Sequence, residues 1–126
     1  MDLDRGETAL VVIINLVEQQ ECQLAYSEIV SLQRQEKRVY LVIAGGDGSL
    51  ITTLMNAKDA GVDIRSIPAC VLPYGTGNDF AFVTKWGRLP TDPIYNSLNH
   101  IAAEICHRAH PVNFNVWNVD IRFKNG

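Results

Sequence analysis

The sequence predicts an α/β domain built on a parallel sheet, and three observations carry that expectation. Short β-branched apolar runs alternate with amphipathic segments of helical period. Two of those runs end abruptly in glycine-rich turns. Each turn then leads straight into a helical pattern, and strands alternating with helices imply parallel strands joined by right-handed crossovers.

Residues 1–7 are polar and expected to fray. Residues 8–16 are β-branched and apolar, as in a strand covered on both faces. Over 24–36, Ala25, Ile29 and Leu32 share one helical stripe, with Glu28, Arg34 and Lys37 elsewhere, so an amphipathic helix is expected. Residues 39–44 read as a second buried strand, closed by Gly45-Gly46-Asp47-Gly48. A helix over 50–60 follows, with Gly61 placed as its stop. Residues 69–72 form a third strand between Pro68 and Pro73, then come Gly75-Thr76-Gly77 and a helix over about 79–86. Residues 86–93 are loop. Ile94, Leu98, Ile101 and Ile105 fall at helical spacing and predict a helix over 94–109. Residues 112–123 read as one further strand, or two joined by an irregular turn. With no repeat, low-complexity stretch or linker, the expectation is a single domain over 1–126.

Length and composition narrow the function classes. A chain of 126 residues has room for one modest core, and 47% hydrophobic with 20% charged residues is ordinary for a globular domain. A net charge of −3 gives no general attraction to nucleic acid or an anionic membrane surface. The longest aliphatic run, from Ala9 to Ile14, is too short to span a bilayer, and Asp2 and Asp4 argue against a secretory signal. Cys22, Cys70 and Cys106 are odd in number and far apart, which suits buried thiols in a reducing cytosol better than disulfides or zinc.

The glycine turns carry the chemistry. Ligands of open α/β sheets bind at the carboxyl ends of the strands. Gly45, Gly46 and Gly48 can adopt positive φ and admit a phosphate close to the backbone. The following helix presents its unsatisfied N–H groups there, and Ser49 adds a hydroxyl. Asp47 would repel a phosphate, so it makes chemical sense as a Mg²⁺ ligand or as the acceptor of a hydroxyl proton. The competing reading is a tight strand-to-helix turn in which Asp47 only caps its helix. The second turn, Pro73 to Phe80, repeats the pattern: Thr76 offers a hydroxyl, Gly75 and Gly77 offer amides, and Asn78 and Asp79 suit an N-cap. Neither the Walker pattern GxxxxGK[ST] nor the dinucleotide pattern GxGxxG is present.

At these residues the chain resembles the diacylglycerol kinase family. Residues 41–49, LVIAGGDGS, resemble its strand and GGDGT signature, and residues 69–82, ACVLPYGTGNDFAF, resemble its P-x-GTGND-x-A segment. Lys85-Trp86-Gly87 with Thr91-Asp92, and NFNVWNVDI at 113–121, extend the likeness, which runs with gaps from Val39 to Ile121. The tryptophan-glycine stretch leans toward the eukaryotic-type enzymes. The resemblance implies a three-layer parallel-sheet α/β fold of the lipid kinase and NAD kinase type. It also implies ATP and Mg²⁺ as cofactors and transfer of the γ-phosphoryl group to diacylglycerol, giving phosphatidic acid. Carried over by position, Gly45, Gly46, Gly48 and Ser49 would cradle nucleotide phosphates, and Asp47 would serve Mg²⁺ or the hydroxyl proton. Gly75, Thr76 and Gly77 would complete the phosphate side, with Asn78 and Asp79 ordering that turn.

The departures are Ser49 for threonine, Tyr74 at a usually aliphatic position, and Asn115 where an aspartate commonly precedes the tryptophan. The family's asparagine-proline-x-serine-glycine turn is not found before Thr8, and its β-rich C-terminal half is not recognised, so the expectation is a part of the catalytic region that can be inactive alone. Related activities toward sphingosine, ceramide or NAD, and a catalytically silent regulatory module, are the competing functions. A cytoplasmic location follows, with membrane contact only peripheral and through the full-length protein. His100, His107 and His110 lack ligand partners at metal spacing and read as surface histidines. Arg34, Lys37 and Arg38 read as a solvated helix end. Trp86 and Trp117 both read as core anchors, with Trp86, in the loop beside the second glycine turn, the one to expect as an exception at a membrane.

Overall fold

The computed structural model describes residues 2–3, 7–117 and 119–124. Strands β1 (Asp2–Leu3) and β2 (Glu7–Thr8) form a two-residue antiparallel ladder where fraying was expected. Helix α1 spans Gln19–Arg34, starting earlier than the apolar stripe suggests. Strand β3 (Leu41–Gly45), helix α2 (Asp47–Asp59) and strand β4 (Ala69–Pro73) follow. Helix α3 is Asp79–Val83, a 3₁₀ turn covers Pro93–Asn96, and helix α4 is Leu98–His107.

The two long strands pair in parallel, with Leu41 opposite Ala69 and Gly45 opposite Pro73. Side chains alternate across such a ladder, so its two faces carry different clusters. On one face Ile43 and Val71 pack with Leu50 of α2 and Ala81 of α3. On the other, Leu72 packs with Ile101 and Ile105 of α4, beside Tyr40 and Cys70. A third cluster joins Tyr26 of α1 to Ala57, Val62 and Ile67. Helices therefore cover both faces of the β3–β4 ladder. Burial pushes the Cys70 thiol up to about 12, as expected where a thiolate would lose its hydration. All three cysteines are free thiols, and all are half-buried.

Helix stops follow local chemistry. Gly61 has φ of +92°, and the Val62 amide donates to the Ala57 carbonyl while Gly61 donates to Lys58. That is the paired capping pattern for which a left-handed glycine is suited. Helix α1 ends in the same pattern, Lys37 to Leu32 and Glu36 to Gln33, but with Glu36 in the left-handed position at φ +56°.

Three expected elements differ. Residues 10–15 join no ladder, and Leu10 is 90% exposed. The run has the propensity for a strand, but propensity supplies no neighbour, and backbone groups need a partner edge. Its end is instead held by side chains: Asn15 N donates to Glu21 Oε2 at 3.1 Å, and Val17 N to Asn15 Oδ1 at 3.1 Å. The expected 94–109 helix is broken at Ser97, which is extended (φ −147°, ψ 126°). Pro93 opens the 3₁₀ turn, and Asp92 caps it by accepting from Ile94 N at 3.0 Å. Leu98 is then the first residue of α4 and stands exposed, while Ile101 and Ile105 are buried. The expected strand over 112–123 is irregular throughout its described residues; only Phe114 makes a ring contact, edge-on to Phe80 at 4.8 Å.

Of the two tryptophans expected in the core, Trp86 is there and Trp117 is not. Trp86 bridges the clusters on both faces, and its carbonyl accepts from the Tyr95 hydroxyl. Trp117 is exposed, because the strand that would have buried it does not form. Among the described residues no helix is long and apolar enough to cross a membrane.

Candidate functional site

The pairing of β3 with β4 ends at Gly45 and Pro73, so both glycine turns leave the same end of the ladder. Tyr74 N continues the contact, donating to Gly45 O at 3.2 Å. Beyond it the turns touch backbone to backbone. A Cβ built on Gly75 would lie 2.3 Å from Gly46 Cα, and one on Gly46 would lie 3.2 Å from Gly75 Cα. A Cβ on Gly45 would meet Ser49 Oγ at 2.7 Å. Close approach, and not positive φ, is thus what these positions require; among the described residues the positive-φ glycines are Gly61 and Gly87. The expectation of left-handed backbone at Gly45, Gly46 and Gly48 is corrected accordingly.

Asp47, Gly48 and Ser49 form the first turn of α2, behind an extended Gly46 at the N-cap. The first amide to bond back is Leu50 N, to Gly46 O at 3.2 Å. The amides ahead of it have no intrahelical acceptor, and no side chain caps this helix. Its positive dipole end therefore stays open for an anion.

The other helix start is closed. Asp47 Oδ2 accepts from Asp79 N at 3.0 Å, and Asp47 Oδ1 accepts from Phe80 N at 2.8 Å. Asp47 thus caps a helix, though not its own. Asn78, expected as an N-cap, sits at the cap position but makes no cap hydrogen bond. It is left-handed (φ 55°) and 2% exposed, with its side chain turned inward. Its Oδ1 accepts from Gly75 N at 2.9 Å, while Nδ2 donates to Gly75 O and to Arg88 O, both at 2.8 Å. Asparagine tolerates this backbone because its short amide can bond locally. The Asp79 carboxylate points outward and accepts from Arg88 at 2.8 Å, in a pair exposed enough to add little stability. Arg88 also lies 4.2 Å over the Phe82 ring.

Gly45, Gly46, Asp47, Gly48 and Ser49 are therefore brought beside Gly75, Thr76, Gly77, Asn78 and Asp79, with Gly48, Thr76 and Gly77 open to solvent. Asn115 is exposed on the irregular segment. A cavity of about 2580 Å³ lies between the sheet side and residues 109–117, and of the two glycine turns only Phe80, at the end of the second, lines it. It exceeds the roughly 300–1,000 Å³ of a ligand pocket and is an open groove. His107 corrects the surface-histidine expectation: its Nε2 is buried without a hydrogen-bond partner. Arg88 was not foreseen; it stands nine residues beyond Asp79 across a loop, an offset that no helix or strand period flags.

Among the described residues no group of three or more His, Cys, Asp or Glu side chains could hold a metal ion. Mg²⁺ characteristically binds through one or two carboxylates together with substrate phosphates. Asp47 fits that use, since each of its oxygens accepts one N–H and retains further lone-pair capacity.

The arrangement is that of an α/β domain whose adjacent parallel strands end in glycine turns at one crevice, the place where ligands of such sheets bind. The family model for the diacylglycerol kinase catalytic domain matches residues 9–114, and the chain belongs to this family. The match starts earlier than the likeness read from Val39 and stops before Trp117. Searches of curated proteins and of solved structures returned no match. The family is one of lipid kinases, and a kinase domain implies nucleotide and lipid substrates.

Proposed function

We propose that this chain is the nucleotide-binding part of an ATP-dependent diacylglycerol kinase, forming phosphatidic acid from diacylglycerol. The observation that carries the reading is the asymmetry of the two helix starts. The α3 start is capped by Asp47, whereas the α2 start is uncapped and faces a second turn with exposed Thr76 and Gly77. Phosphates at the α2 start would receive the amides of Gly48 and Ser49, with Gly45, Gly46 and Gly75 keeping the backbone clear of side chains. Thr76 and Gly77 would complete the cradle, and Asn78 and Asp79 would order it. Mg²⁺, when bound with the nucleotide, would neutralise phosphate charge, and Asp47 is the residue that would face it. Phosphoryl transfer depends mainly on positioning and charge neutralisation, which is what such a cradle offers.

Helices on both faces of the β3–β4 ladder support the three-layer lipid kinase and NAD kinase fold, formed as one domain over 1–126. In this reading the protein is cytoplasmic and meets the membrane peripherally. The acceptor is tested by incubating the chain with γ-labelled ATP, Mg²⁺ and micellar diacylglycerol, beside ceramide, sphingosine and NAD. Labelled phosphatidic acid is the expected product. Label in another acceptor would reassign the substrate. A silent regulatory module is the second reading, favoured by the engagement of both Asp47 oxygens with backbone amides. It predicts nucleotide binding with no transfer to any acceptor.

A further inference from the structure

We propose that Asp47 is a positioning residue that clasps the two glycine turns into one site. Each of its oxygens accepts a backbone N–H from the other turn, at 3.0 Å from Asp79 and 2.8 Å from Phe80. A residue acting only on a metal ion or a hydroxyl proton has no need of either bond. Helix α3 does need them, because its own cap residue is turned away. Asn78 spends its side chain on Gly75 and Arg88, leaving the first amides of α3 without a local acceptor.

The surroundings are shaped for the clasp. A Cβ on Gly77 would lie 3.4 Å from Asp47 Oδ2, so a larger side chain there would crowd the carboxylate. Gly46 and Gly75 let the turns approach closely, but that contact has no directional attraction of its own. Besides the Tyr74–Gly45 backbone hydrogen bond at the strand ends, the two charge-assisted hydrogen bonds of Asp47 supply the directional attraction that holds the turns together further out. Asp47 therefore sets where Thr76 and Gly77 stand relative to the open start of α2. The functional consequence rests on the nucleotide-site reading above; the clasp itself does not.

The test uses the whole chain without nucleotide, in EDTA, with amide exchange followed residue by residue. In the native protein the amides of Asp79 and Phe80 are expected to be protected; exchange at the unprotected rate would overturn the clasp without any variant. In Asp47→Ala both amides should exchange about tenfold faster or more, while amides within α1 keep their rates and report an intact fold. Asp47→Asn keeps one acceptor oxygen and should restore protection at one of the two amides. ATP affinity in EDTA gives a positional readout. Positioning predicts weaker metal-free binding in Asp47→Ala and partial rescue in Asp47→Asn. A purely metal-binding carboxylate predicts unchanged or tighter metal-free binding, since a negative charge beside the phosphates is gone, and that result would overturn the proposal. Protected amides in a chain that binds no ATP would support the clasp and defeat the nucleotide-site reading instead.

Discussion

Gly75→Ala is the smallest change that should separate the two turns. The added Cβ would stand 2.3 Å from Gly46 Cα and 2.7 Å from Gly46 N, both backbone atoms that cannot rotate aside. Carbon atoms pack at about 3.5–4.0 Å, so the turns would have to part by about 1.2–1.7 Å. A shift of that size takes the 3.2 Å Tyr74–Gly45 bond past hydrogen-bonding range and strains the Asp47 bonds to Asp79 and Phe80. Overpacking together with one or two lost hydrogen bonds should cost about 2–4 kcal/mol. Urea unfolding measures it, with an unchanged slope showing that the unfolding transition is otherwise the same. Gly48→Ala is the matched control. Nothing lies within 4 Å of a Cβ there, and the residue is helical, so the change should be neutral or stabilising by up to about 1 kcal/mol. If Gly75→Ala falls within about 0.5 kcal/mol of the native protein, the close approach of the turns is refuted.

Other substitutions probe the frame that holds the site. Glu36→Gly should raise the melting temperature, relieving a left-handed non-glycine residue at φ +56° worth about 1 kcal/mol. Leu50→Ala, at a side chain 2% exposed between α2 and the sheet, should cost about 2–5 kcal/mol by chemical denaturation. Cys70 makes stability depend on pH in one direction. Its folded value is raised from 9.0 to about 12, so its contribution is complete below pH 9 and lost as pH rises toward 12. Tyr26 and Tyr95 are raised as well, mainly by desolvation, and add to the same alkaline loss above their ordinary value of 10.0. Unfolding followed from pH 7 to 11 should show this decline, shallower in Cys70→Ala.

The paired turns were legible in the sequence because each sets glycines between an apolar strand run and a helical pattern, where glycine marks a turn. Strands β3 and β4 and helix α2 were legible for the same reason: each is short, apolar and bounded by a strong stop such as Gly61 or Pro68. What Asp47 bonds to was not legible. Its partners are amides 32 and 33 positions away, and only the parallel register brings them within reach. The run at 10–15 and the segment at 112–123 show the opposite failure. Both have the residues of strands, Val12 and Ile13 in one and Val116 and Ile121 in the other, yet these stand exposed because no edge receives them. The pattern that placed Leu98 and Ile101 on one stripe could not register that Ser97 turns extended between them and Pro93.

The central claim is that the two turns together bind a nucleotide through its phosphates. The most direct measurement is a titration of the chain with ATP and ADP, with and without Mg²⁺, followed at each backbone amide. The account predicts saturable changes concentrated at Gly45, Gly46, Gly48, Ser49 and Gly75 to Asp79, with tighter binding when Mg²⁺ is present. Changes confined to the groove beside residues 109–117, or none in a folded chain, would contradict it.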